Sequence, residues 1–195
     1  MKVNFVKTFI PVKDFVAVEK VGNKMLVRFD AVKDADMDAY SCVEGSVSAS
    51  EYNEQEVRRE YESWKQKWAE KALVLAKKAK IAEIAAYDTS DKVNGFILNG
   101  MLVWLDKATR VGLMNSTTIA KAAGQQTTTL WLGGLKLLVD CDKAIQLLSA
   151  LEMYALECFN VTASHKQAVS ELTTIEEVEA YDYKAGYPKM LEMSV

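Results

Sequence analysis

Residues able to do acid–base or nucleophilic chemistry are few in this chain and poorly spaced for it. His165 is the only histidine in 195 residues, and the nearest cysteine, Cys158, lies seven positions earlier. On one helix that separation puts the pair on a shared face but about 10 Å apart, too far for a thiolate–imidazole dyad. His165 therefore reads as a surface or helix-end histidine. Cys42, Cys141 and Cys158 are far apart, form no CxxC pair and have no histidine at metal-ligand spacing. They read as reduced, buried thiols. Glu176 and Glu177 are adjacent and so point to different faces of a helix, which suits a solvated acidic turn better than a convergent carboxylate pair. Asp106 stands four residues before Arg110, the spacing of a helical ion pair, and also suits a helix N-cap. Asn99-Gly100 and Gly133-Gly134 belong to no GxGxxG or GxxxxGK pattern and are turn residues, not a phosphate cradle. The Asn160-Val161-Thr162 sequon falls in a helical stretch of a chain read as non-secreted. No metal, cofactor or small-molecule substrate is implied, and the expectation is a protein that is not an enzyme.

The elements that would hold these residues follow from hydrophobic periodicity. Residues 1–47 read as a β-rich segment. FVAVEKVGNKMLVRF (15–29) alternates on both sides of Gly22-Asn23, two residues that tolerate the positive φ of a tight hairpin. AYSCVEGSV (39–47) adds a further strand. Residues 48–86 read as one long helix, opened by a Ser48/Glu51 capping box. On it Val57, Tyr61, Trp64, Trp68, Ala72, Leu75 and Ala79 follow at steps of four, three, four, four, three and four. Their mean of about 3.67 keeps one apolar stripe on a nearly straight helix. Such a helix exceeds about 50 Å, so Val57, Tyr61, Trp64, Trp68 and Leu75 form the candidate interface. Both indoles would be covered either by their own chain or by a second subunit.

Residues 87–195 read as an α+β domain built from a repeated pattern. FIL and MLVWL flank Asn99-Gly100, and TTLWL and LKLLV flank Gly133-Gly134, each a hairpin with a type I′ turn signal. After the first hairpin Asp106 caps a helix that ends at Gly124. After the second, Asp140 or Asp142 caps a longer helix to about Leu172, with Ile145, Leu148, Leu151 or Glu152, Ala155, Phe159 and Thr162 at helical spacing. The copies match in pattern and not in identity. Thr173-Thr174 before IEEVEAY marks a short helix, and Gly186-Tyr187-Pro188 ends regular structure. The fold class is α+β: a β-rich N-terminal segment, one long helix, then two hairpin-plus-helix units packed as a small helical bundle with short antiparallel ribbons.

Half the residues are apolar and the net charge is −3, enough for a real core but without a basic stripe for nucleic acid. Residues 140–195 carry ten carboxylates against four lysines. The N-terminal apolar run is too short for a signal peptide, and nothing approaches the ~20 apolar residues of a membrane span. The chain is expected in the cytosol, or assembled there into something larger.

From about Lys80 to Leu191 the chain resembles a domain of unknown function that recurs in bacteriophage and prophage proteins, often as the C-terminal part of tail-fibre or tail-fibre-assembly proteins. The resemblance is carried by FILNGMLVWLDKATR, TTLWLGG, ALEMYALECFNVTASHKQAV and AYDYKAGYP, and is closest to forms in phages of gut Bacteroides-type hosts. The closing segment is longer here and the first hairpin differently written. Residues 1–79 carry no such likeness. The resemblance implies a virion structural protein of the tail, neck or adsorption apparatus, found in the host cytoplasm during assembly. It would act as a homo-oligomer docked to other phage structural proteins, without nucleic acid, membrane or small-molecule partner. The alternative is a tail-fibre assembly chaperone absent from the mature particle. A third reading, a small regulatory or host-interacting enzyme, requires a deep pocket with convergent polar groups.

Overall fold

The computed structural model describes all 195 residues and is mixed α+β, as the periodicities predict. It forms two compact units, Met1–Ala72 and Leu73–Val195. Helix α1, Glu54–Asp88, contributes its first half to one and its second half to the other.

The first unit is a four-stranded antiparallel sheet with a helix on one face. Strands β1 (Asn4–Pro11), β2 (Val18–Val21), β3 (Lys24–Lys33) and β4 (Ala39–Ser48) lie in the order β1-β4-β3-β2. The β2–β3 turn is tight, but only Gly22 takes positive φ, 58°. That is the habit of a type II′ turn, in which Asn23 needs no left-handed backbone. β4, at the centre, buries Val43, Gly45 and Val47 toward Val57 and Tyr61 of α1, with Val3, Phe5 and Val27 completing the core. Gly45 is required by packing: a Cβ there would lie 2.7 Å from the Phe5 ring.

The expected Ser48/Glu51 capping box does not form. Ser48 is the last residue of β4, and the helix starts at Glu54, where the Glu56 amide donates to Asn53 Oδ1 at 3.1 Å. Asparagine is as good an N-cap as serine, and the sheet claims Ser48 first.

In the second unit, α1 ends at Asp88 and a single turn, α2 (Asp91–Asn94), leads into hairpin β5–β6 (Gly95–Leu98, Met101–Trp104). Asn99 and Gly100 take φ of 50° and 82°, as type I′ requires. Asp106 caps α3 (Lys107–Ala122) by accepting the Thr109 amide. At its end Gly124 (φ 84°) donates to the Lys121 carbonyl and Gln125 to Ala120, a full Schellman stop. Hairpin β7–β8 (Thr127–Leu132, Leu135–Asp140) follows. Asp140, not Asp142, caps α4 (Cys141–Glu171), accepting the amides of Asp142 and Lys143. Thr174 and Glu177 form a capping box on α5 (Ile175–Ala180).

Regular structure does not end at Pro188. Leu191–Met193 returns as β9 and pairs in parallel with β5, making a three-stranded sheet in the order β6-β5-β9. The core of this unit gathers Phe96, Leu98, Val103, Leu130, Leu132 and Leu148. On α4 the buried row is Ala144, Leu148, Leu151, Ala155, Cys158 and Thr162: Leu148, Leu151, Ala155 and Thr162 are buried as read from the sequence, and Ala144 and Cys158 take the places expected for Ile145 and Phe159. Phe159 is thereby left 60% exposed.

Candidate interaction surfaces

The residues with chemical potential are engaged in holding the fold. The Ala185 carbonyl accepts from His165 Nε2 at 2.9 Å, and Nδ1 is hydrogen-bonded to the Tyr181 hydroxyl at 2.8 Å. The imidazole ties the segment after α5 to α4. The Cys158 thiol is buried and donates to the Val93 carbonyl, which also accepts the Tyr154 hydroxyl at 2.7 Å. Burial pushes the Cys158 pKa up, away from the thiolate a nucleophile needs. Glu177 closes its capping box and is held below the usual carboxylate range by the Thr173 and Thr174 amides. Glu176 is separately exposed.

In the first unit the aromatic residues predicted to form an interface stack into a column. Phe29 and Tyr61 stack at 4.1 Å between ring centres, Tyr61 and Trp64 at 5.9 Å, and Trp64 and Trp68 at 5.6 Å. The column has a dry end and a wet end. Val57 and Tyr61 are buried in their own unit, Trp64 is half-buried and Trp68 is 45% exposed. The candidate interface is thus divided: Val57 and Tyr61 belong to the core, because the apolar face of a four-stranded sheet needs a helix on it.

Tyr61 is further fixed by its hydroxyl, which donates to Asp30 Oδ2 at 2.5 Å. Asp30 sits at an irregularity of β3 with φ 49°, a left-handed conformation that aspartate tolerates better than most residues. Burial and the Asp30 carboxylate together push the Tyr61 pKa up. A cleft of about 470 Å³ opens beside the column between Lys7, Phe9, Trp64, Lys65 and Trp68, with the Lys7 ammonium 5.4 Å from the Trp68 ring centre.

Leu75 lies in the second unit and is 57% exposed. There the buried face of α1 runs through Leu73, Ala76, Ile81 and Ile84, so the stripe extrapolated through Leu75 and Ala79 is not the one covered. The turn and cap residues Gly22, Asn23, Asn99, Gly100, Asp106, Gly133 and Gly134 shape hairpins and helix starts, and all lie at chain reversals or caps.

The second unit has its own cleft, about 440 Å³, where the end of α1, the end of β6, the start of α3 and the middle of α4 meet. Its apolar wall is Trp104, Leu156 and Phe159, all exposed. Its floor is an ion pair absent from the sequence reading, buried at Arg110 and partly exposed at Glu152. Arg110, 8% exposed, donates from Nε to Glu152 Oε1 and from Nη1 to the Leu105 carbonyl, both at 2.8 Å. Asp106, the i−4 partner expected for Arg110, instead takes the Thr109 amide at 2.9 Å and the Thr109 hydroxyl at 2.6 Å. Nothing local in DKATR pointed to Glu152, 42 residues away. A clue was the small residues Ala144 and Cys158, which are buried beside Ile145 and Phe159 on α4 and leave Phe159 turned outward.

Both clefts offer apolar contact edged by charge. No group of three or more His, Cys, Asp or Glu side chains is arranged to hold a metal ion, and no helix is long and apolar enough to cross a membrane. Residues 75–185, more than half the chain, match the family model described as "Domain of unknown function (DUF4376)". No curated protein and no solved structure matches the chain.

Proposed function

The chain belongs to the family described as domain of unknown function DUF4376, and from that premise we propose that it is a non-catalytic structural protein of a bacteriophage particle. Its place is the tail, neck or adsorption apparatus, reached from the host cytoplasm during assembly. It works by docking to copies of itself and to other phage structural proteins, without nucleic acid, membrane or small-molecule substrate. The phage setting rests on the likeness carried by FILNGMLVWLDKATR and AYDYKAGYP. The docking role rests on one observation above the others: the aromatic column Phe29–Tyr61–Trp64–Trp68 runs out of the core and presents an indole to solvent. Aromatic residues with a charged rim are enriched where protein surfaces are covered by partners, and Phe9, 59% exposed, widens the apolar area around Trp68.

Two measurements test the reading. Size-exclusion chromatography with light scattering is expected to give an oligomer that Trp68→Ser dissociates. A compact monomer whose Trp68 is freely quenched by acrylamide would sink the docking role. Mass spectrometry of purified particles is expected to find the protein in stoichiometric amount. Its absence from finished particles would replace a structural component with an assembly chaperone.

A further inference from the structure

The β7–β8 ribbon leaves the outer edge of β8 without a partner, and the phase of its ladder fixes which groups that edge presents. Just past the ribbon's end, the Cys141 amide donates to the Gln126 carbonyl at 2.9 Å. Hydrogen-bonded pairs recur at every second position of an antiparallel ladder, so Thr128–Val139, Leu130–Leu137 and Leu132–Leu135 are those pairs. Lys136, Leu138 and Asp140 therefore turn their N–H and C=O groups away from β7. The sheet has no third strand, and the amides of Lys136 and Leu138 donate to no other group of the chain. The Asp140 carbonyl already opens α4. The side chains of the same three residues share the face turned away from the core, where Leu138 is 74% exposed. Lys136 lies over the Trp131 ring and has no carboxylate partner within the chain. Asp140 spends Oδ1 on the amides of Asp142 and Lys143 and leaves Oδ2.

A lysine on an open edge ordinarily repels other strands, but here its complement stands four residues on, with a leucine midway. When two copies of β8 run antiparallel about a twofold axis at Leu138, that leucine meets its own counterpart. Each Lys136 then stands opposite the other copy's Asp140, and this happens twice. The Leu138 amides and carbonyls pair across the axis, and each Asp140 amide reaches the other copy's Lys136 carbonyl. Moving the axis to Lys136 or to Asp140 sets like charges face to face, which is destabilising. Moving it to Leu137 or Val139 puts a charge opposite Leu138. We infer that β8 pairs edge to edge with β8 of a second copy of this chain, joining two ribbons into one four-stranded sheet. The contact is isologous and closes after two copies. It lies in a different unit from the aromatic column at Trp68 and does not depend on it. A six-residue edge buries far less than the ~1,600 Å² of a standard interface, so a dissociation constant on the order of 0.1 mM is expected.

The test uses the full chain carrying Trp68→Ser, which removes any association through the column. Sedimentation equilibrium up to about 1 mM is expected to show a monomer–dimer equilibrium. Lys136→Glu, at an exposed position, sets acid against Asp140 and is expected to weaken the dimer about tenfold. Adding Asp140→Asn removes that repulsion and keeps the helix cap, because asparagine caps as well as aspartate. Most of the lost affinity is expected to return. Oxidation of Leu138→Cys is expected to give a covalent dimer, since residues opposed in a hydrogen-bonded pair have Cα atoms about 5.5 Å apart, within disulfide reach. Trp131→Cys is similarly exposed but lies three strand spacings, about 14 Å, from its counterpart, and is expected to stay monomeric. The three native thiols are buried. A Trp68→Ser chain that stays monomeric at about 1 mM, or Trp131→Cys crosslinking as fast as Leu138→Cys, would overturn the inference. A size change on Trp68→Ser tests the column and a dimer that survives it tests the β8 edge, so the two readings fail separately.

Discussion

The two hairpin–helix segments of the second unit share the same local plan. Asn99-Gly100 and Gly133-Gly134 both take paired positive φ, and Asp106 and Asp140 each cap the helix that follows. Their surroundings differ. β5 is buried along nearly its whole length and gains β9 as a second neighbour. The β7–β8 ribbon gains no third strand, burying Leu130 and Leu132 while Trp131 and Leu138 stay 61% and 74% exposed. The ribbon is supported at its tip, where Gly133 packs on Val103 of β6. A two-stranded ribbon is marginal by itself in water, so the first hairpin is the platform and the second leans on it.

The sharpest way to break this comparison is at the twin turns. Gly133→Ala puts a Cβ at positive φ and 2.8 Å from a Val103 methyl, and is expected to cost about 3 kcal/mol in urea unfolding. Gly100→Ala has the backbone strain but open space around it, and about 1 kcal/mol is expected. Equal losses would mean that the second turn does not rest on the first hairpin. Next in size, Glu152→Ala strips Arg110 of its only carboxylate and uncouples the helix of the first segment from that of the second. A loss of about 2 kcal/mol is expected, below the value for a fully buried pair because Glu152 keeps a third of its surface in water.

A smaller, local effect separates the two hairpins. Leu191→Asp disfavours β9, and is expected to speed hydrogen exchange of the amides of β5 about tenfold while β7–β8 keeps its protection. Smallest is an acid effect at the first cap. The Thr109 hydroxyl and amide hold the Asp106 carboxyl below the usual carboxylate range. The folded chain therefore binds that proton less tightly than the unfolded chain does. The stabilisation is complete above about pH 4 and drains as pH falls through the folded value. Parallel acid titrations should show a shallower decline for Asp106→Asn than for the unmodified chain.

Features set by a few neighbouring residues were legible in the sequence. The Asn-Gly and Gly-Gly turns, the Asp106 and Thr174 caps, the Gly124 stop and the long helix all depend on local backbone conformation. What escaped depends on distant partners. β9 has three residues and exists because β5 offers it an edge. Arg110 turned from Asp106 to Glu152 because α4 brings a partly buried carboxylate against it. The stripe on α1 was followed too far: a single period was extended across Ala72, where the helix passes from one unit to the other. The clefts were legible only in part. The aromatic residues Tyr61, Trp64 and Trp68 stood out by size and spacing, whereas the floor of Arg110 and Glu152 required two helices to meet.

The parallel pairing of Phe96 with Leu191 also has a consequence for biosynthesis. One margin of β5 finds its covering only after about 95 further residues have been made. At roughly 5–20 residues per second, a nascent chain carries that edge of β5 without its native partner for about 5–20 s.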